Sequence, residues 1–264
     1  MNKEINYDKA QKEFERYLDS YDRENGSINL KIIHTYEVVK KSEYIARNLN
    51  LTEDDINLAK IIAILHDIGR FEQIKNFGVF DDKKLEHAKY SVKYLFEDNI
   101  YIRKYIECDK YDDLIYKAIY NHNKLEIEEG LNEHELLHAK IIRDADKLDN
   151  FRVKEIDKFE DMFPGIFDKN KAKEEVISEN VYNDFLNYKC IKLHDRKTML
   201  DYWFCVIAFI YDLNFDLSLK YVKENNYINK LIDRLEYHNP DTKIKVESLR
   251  KAALEYLDTN KKKL

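Results

Sequence analysis

The chain has 264 residues, and only five are glycine and two proline, where average usage would give about 12% for the pair. Turns, hairpins and bulges are made from these residues, so a sandwich, a barrel, a doubly wound sheet and any collagenous or Pro-rich architecture are excluded in favour of an all-helical fold. Forty-five Lys and Arg against 51 Asp and Glu leave a net charge of −6, so there is no global basic field for nucleic acid.

In chain order, residues 4–22 read as a polar amphipathic helix that Asn25-Gly26-Ser27 ends. A helix over about 28–49 follows, with Val38, Ile45 and Leu49 on one stripe. Thr52 as N-cap and Asp55 three residues on open the next helix. Its apolar positions are Leu58, Ile61, Ile62 and Leu65, and it is expected to end near Gly69. Residues 70–82 read as a loop. Further helices are expected at about 83–97, 99–108, 111–122 and 133–150. Phe163-Pro164-Gly165 is a break. Helices near 170–189, 197–211, 215–224, 227–237 and 242–258 follow it.

The longest apolar run, Tyr202 to Tyr211 between Asp201 and Asp212, reads as a buried helix and is far short of a membrane span. Trp203, Phe204, Val206, Ile207 and Phe209 are its core candidates. Cys108, Cys190 and Cys205 form no Cys-x-x-Cys and cannot all pair, which fits a reducing compartment. The N-terminus carries no hydrophobic signal segment, so the expected location is cytoplasmic, with no membrane partner. Lys261 to Lys263 read as a solvated end. The expected organisation is a domain over 1–160, with its core at about 28–151, and a helical extension over 161–264. That extension carries no readable motif. Its helices either cover the site and select substrate or form a face for a homo-oligomer.

The eight histidines are informative by placement. His34 lies four residues before Val38, on the apolar stripe of its helix. His66 continues Leu58 and Ile62. His122 continues Ile115 and Ile119, and Asp146 lies four after Ile142. His87 sits at the edge of the Ala88, Val92, Leu95 face. Singly, each reads as a hydrogen-bonded core residue. Jointly, four imidazoles and two carboxylates in one helical core would cost several kcal/mol without partners. A divalent metal removes most of that cost. His66-Asp67 is followed by Ile68-Gly69-Arg70, and Gly69 is expected to let the backbone turn away from the ligands. A second pair, His194-Asp195, lies among Lys192, Arg196 and Lys197 and reads as surface or capping.

His34, then Leu65-His66-Asp67-Ile68-Gly69-Arg70-Phe71, then Asp144-Ala145-Asp146-Lys147-Leu148-Asp149-Asn150, resembles the HD-domain metal-dependent phosphohydrolase superfamily. The likeness covers about residues 28–151 and implies an all-α HD-type helical bundle. Asp144 and Asp146 are about 200° apart on a helix. The family pattern favours Asp146 as ligand, which leaves Asp144 a supporting or surface position. With His87 and His122 the order is similar to the dinuclear branch. That resemblance implies that His34, His66, Asp67 and Asp146 hold one ion, and that Asp67 bridges to a second held by His87 and His122. The alternative is a single ion, with His87 and His122 orienting substrate. The Gly-Tyr-Pro motif of the cyclic-dinucleotide phosphodiesterase branch is absent after His122.

The implied reaction is hydrolysis of a phosphate ester or anhydride of a small, nucleotide-like substrate by metal-activated water. Asp67 is central to it. Arg70 is the candidate phosphate clamp, because its planar fork matches phosphate oxygens, and Lys147 could also reach a phosphate. Glu72 is placed to relay protons by proximity alone. The His-rich set suits Mn, Fe, Co, Ni or Zn rather than an all-oxygen Mg site. Two other readings use the same ligands: a mixed-valence di-iron oxygenase, and a metal-binding sensor without turnover. A third uses His134-Glu135-Leu136-Leu137-His138, which fits the His-Glu-x-x-His signature of zinc proteases, with Glu135 as base. No Gly-x-x-His follows it, and its helix is the one that carries Asp146.

Overall fold

The structure is a computed structural model that describes residues 5–80, 82, 84–97, 100–165 and 168–259. The Lys261 to Lys263 tail lies outside them. The fold is all-α, and no strand occurs among the described residues. Two compact units divide the chain. The first comprises the described residues up to Asp149 together with Glu160–Gly165, and the second comprises Asn150–Phe159 and the described residues from 168 onward.

The first unit begins with α1 (Tyr7–Leu18) and α2 (Gly26–Asn48). Asn25 does not end a helix. It caps α2, its side chain accepting the Ile28 N–H at 3.1 Å. Helix α3 (Glu53–Leu65) starts at Thr52, whose hydroxyl accepts the Asp55 N–H at 3.2 Å. Ile56, Leu58, Ala59 and every residue from Ile61 to Leu65 are buried. A helix apolar on most sides belongs inside a core, and α3 packs on α1, α2 and α7 (Asp112–Asn121).

The stretch expected as a loop is mostly helix. Helix α4 (Ile68–Phe77) runs through it and buries Phe71, Gln73 and Ile74. The glycine that ends this helix is Gly78, in the left-handed region at φ 68°, with its N–H on the Ile74 carbonyl. Gly69 lies inside α4 and has no such conformation. Its lack of a side chain serves a close approach: a Cβ there would lie 2.4 Å from the His87 carbonyl oxygen.

Helix α5 (His87–Val92) packs on α4 and α7 and continues as one π-helical turn over Lys93–Glu97. The short α6 (Ile102–Tyr105) lies on α1. The long α8 (Glu133–Ile156) begins in the first unit and ends in the second, and α9 (Phe159–Met162) follows it.

The second unit contains α10 (Lys169–Glu174), α11 (Glu179–Leu186), α12 (Met199–Ile207), α13 (Asp216–Glu224), α14 (Tyr227–Asp233) and α15 (Pro240–Thr259). The single helix expected at 170–189 is therefore two. The apolar run forms α12 and a 3-10 turn over Ala208–Asp212. Thr198 and Asp201 cap α12 reciprocally. Trp203 is buried, and its Nε1 donates to the Leu231 carbonyl at 3.0 Å. No described helix is long and apolar enough to cross a membrane.

Candidate metal centre

Helix packing brings six of the expected residues to one place in the first unit. Helix α2 supplies His34, and the C-terminus of α3 supplies His66 as its last capping residue. Asp67 follows it directly as the N-cap of α4, at φ −106° and ψ 18°. His87 opens α5, His122 follows the last residue of α7, and Asp146 lies on α8. His34, His66, Asp67, His87 and His122 are all buried.

The Nδ1 atom of every one of these imidazoles faces an acceptor. His66 Nδ1 donates to the Ala63 carbonyl at 2.7 Å and His122 Nδ1 to the Ile119 carbonyl at 2.6 Å. A carbonyl can only accept, so the proton of both rings is on Nδ1. His34 Nδ1 meets Asp149 Oδ2 at 2.7 Å, and His87 Nδ1 meets Asp82 Oδ1 at 2.6 Å. The four Nε2 lone pairs are thereby turned inward, towards two carboxylates.

Asp67 spans the cluster. Its Oδ1 lies 3.3 Å from His87 Nε2 and 3.5 Å from His122 Nε2. Its Oδ2 lies 3.6 Å from both His34 Nε2 and His66 Nε2. Asp146 Oδ1 closes the second group, 3.1 Å from His34 Nε2 and 3.8 Å from His66 Nε2. His87 Nε2 and His122 Nε2 are 3.0 Å apart.

With the protons on Nδ1 these are contacts between acceptors. His34 Nε2 and His66 Nε2 are buried without a hydrogen-bond partner despite the nearby carboxylates. An unmet buried acceptor costs about 1–3 kcal/mol. A cation meets all of them at once, and the mixed nitrogen and oxygen donors suit a divalent transition metal. The groups His34, His66, Asp146 and His66, Asp67, His122 each bring their ligand atoms within 4.8 Å of one another.

The surroundings set the charge of each ring and carboxylate differently. Burial is the largest influence on His87 and, with Arg70 nearby, lowers its pKa to about 4, which keeps the ring neutral. Burial likewise lowers His66. Burial also acts on His34, but the Asp146 and Asp149 carboxylates outweigh it and raise that ring. Burial opposes ionisation of Asp67 and Asp146, yet Lys31 and His66 hold the first well below the usual carboxylate range, and His34 and His66 the second.

Three contributors were not singled out in the sequence. Lys31 Nζ lies 2.6 Å from Asp67 Oδ2. It stands three residues before His34, one helical turn away on the same face. Asp149 bears the same spacing to Asp146. Asp82 carries no such signal, because only the turn between α4 and α5 brings it to His87.

Arg70 is placed differently from a free phosphate clamp. Its Nη1 and Nη2 pair with Asp82 at 3.0 and 3.3 Å, and its Nη1 also donates to Gln73 Oε1 at 2.6 Å. Its Nε is 3.9 Å from Asp67 Oδ1. Lys147, beside Asp146, is buried. Asp144 is fully buried, so it is not a surface residue. Glu72 is turned away to the Tyr21 hydroxyl, 2.5 Å from its Oε1, and to Asn76. His194 is exposed on a 3-10 turn.

Compared with protein-family models, residues 32–150 match the one described as the HD domain. No curated protein and no solved structure matches the chain.

Proposed function

Residues 32–150 form an HD domain, of a superfamily of metal-dependent hydrolases, and from that premise we propose that this chain hydrolyses a phosphate ester or anhydride of a small, nucleotide-like substrate. The observation that carries the reading is the inward convergence of four imidazole Nε2 lone pairs on Asp67 and Asp146, with every Nδ1 tied off behind. His34, His66, Asp67 and Asp146 would hold one divalent ion, and Asp67, His87 and His122 a second. Such ions supply Lewis acidity to phosphoryl oxygens, neutralise developing charge and activate water for attack.

The chain's own residues do the rest. Asp82, Asp149 and the Ala63 and Ile119 carbonyls orient the ligands, and partners of this kind raise ligand basicity. Asp67 turns one oxygen to each imidazole pair and so couples the two halves. Lys31 Nζ holds Asp67 ionised and places a cation at the edge of the cluster, where a phosphate oxygen would gain from it. Arg70, paired with Asp82, positions the carboxylate that orients His87, and its Nε faces Asp67 Oδ1. Lys147 offers a further cation next to Asp146. Burial of the four imidazoles keeps bulk water from competing for the cluster.

The test is a panel of phosphate monoesters, diesters and nucleotides, assayed with the Mn-reconstituted chain and with Asp67→Ala. Turnover by the wild type that Asp67→Ala abolishes is the expected result. Equal rates in the two chains overturn the proposal, as does oxygen uptake by the Fe-loaded chain without phosphate release.

A further inference from the structure

The His134-Glu135-Leu136-Leu137-His138 segment lies outside the cluster just described, at the start of α8. Glu135 is not available as a base there. Its Oε2 accepts the Asn132 N–H at 3.0 Å while Asn132 Oδ1 accepts the Glu135 N–H at 3.0 Å, a reciprocal cap of α8. Its Oε1 pairs with Lys117 Nζ at 2.8 Å. The two histidines, one turn apart, instead face another helix. His134 Nε2 lies 2.7 Å from Asp55 Oδ1, and His138 Nε2 lies 3.4 Å from the same oxygen.

Asp55 is fixed for this. The Thr52 hydroxyl donates to its Oδ2 at 2.6 Å, which leaves Oδ1 facing the rings. His138 is buried, and its Nδ1 has no hydrogen-bond partner, so the polar engagement of the ring is confined to the Nε2 side that faces Asp55. His134 is about half exposed and opens the cluster to solvent. The three ligand atoms lie within 4.8 Å of one another. Nitrogen and oxygen ligands about 2.0–2.2 Å from a tetrahedral zinc stand about 3.3 Å apart. His138 and Asp55 already have that spacing, and the half-exposed His134 side chain needs to retreat by about 0.6 Å to match it.

We propose that Asp55, His134 and His138 form an accessory binding site for a zinc-type divalent transition metal, which joins the N-terminal turns of α3 and α8. The site carries three protein ligands and one solvent-facing position, and no base beside it. It is separate from the first centre. Asp146 lies eight positions after His138 along α8, about 12 Å of helix, and His66 lies eleven positions after Asp55, about 16 Å if helical throughout. The same two helices present His66 and Asp146 at the first centre, so the accessory ion would brace the frame that holds those ligands. The inference is independent of the proposed hydrolysis.

The experiment strips the full chain with a chelator, dialyses it against limiting Zn2+, and counts bound ions by elemental analysis. His134→Ala, at an accessible position, and Asp55→Asn are each expected to bind one ion fewer per chain than the wild type, with unchanged circular dichroism. The same loss of one ion is expected when His134→Ala is placed in a His66→Ala background, where the first centre is already impaired. A Zn2+-dependent rise in melting temperature that persists in His66→Ala should disappear in the double variant. Equal ion counts in wild type and His134→Ala overturn the proposal. So does a His134→Ala chain that loses the ions of the first centre as well.

Discussion

Gly69→Ala tests how the first centre is assembled. Gly69 N donates to Ser91 Oγ at 2.9 Å, and α4 meets the start of α5 so closely that a Cβ would sit 2.4 Å from the His87 carbonyl oxygen and 3.1 Å from Ser91 Oγ. Ordinary contact begins at 3.4 Å, so α5 must retreat by about 1 Å (3.4 − 2.4). His87 is the first residue of α5, and its Nε2 is 3.3 Å from Asp67 Oδ1. A retreat of that size takes this imidazole out of reach of the Asp67 carboxylate. Overpacking of this kind costs about 1–3 kcal/mol, offset by about 0.5–1 kcal/mol because Ala is the better helix former. The net cost is about 0–2.5 kcal/mol, or a fall of several degrees in melting temperature. A ligand misplaced by about 1 Å can cost about 100-fold in rate. Thermal melts, Mn2+ titration and the phosphatase panel measure these effects. The His87 and His122 half should lose its ion, while the His34, His66 and Asp146 half keeps its own. A Gly69→Ala chain as stable as wild type, with the same ion count and rate, would refute the claim that this close approach sets the position of His87.

Two further outcomes follow from the same geometry and from the buried phenols. Asp149→Ala leaves the buried His34 Nδ1–H unpaired, at a cost of about 1–3 kcal/mol, and should weaken Mn2+ binding by about 10–100-fold; calorimetric titration with unchanged affinity would contradict this. Burial first, then Glu43 and Asp8, push the Tyr7 phenol up to about 12, and burial first, then Tyr101, do the same to Tyr94. The unfolded phenol ionises near pH 10, so the stability these groups contribute is complete below pH 10 and is lost as pH rises from 10 to 12. The increment of tyrosinate absorbance that Tyr7→Phe and Tyr94→Phe remove should therefore appear in the wild type together with loss of helical circular dichroism, and an increment that appears near pH 10 with the helical signal intact would count against it.

Much of this protein was legible in the chain itself. Gly and Pro scarcity sets the helical class, because neither turns nor sheets can be made in number without them. His34, His66, His122 and Asp146 announced themselves by continuing apolar stripes at intervals of four, a local periodicity that needs no knowledge of neighbours. Thr52 and Asp55 were readable as a cap for the same reason. The rest depended on which helix lies against which. Asp82 and Asp149 orient imidazoles on other elements, and Lys31 reaches a carboxylate from another helix. Gly69 reads as the point where the helix ends and the backbone turns away, but the tertiary structure makes it a contact point, because its missing Cβ admits the His87 backbone. Asp55 acquires a second role only because α3 starts beside α8. Sequence determines which side chains share a face of one helix; the faces that meet, and the chemistry this brings within 4 Å, are decided by packing the whole bundle.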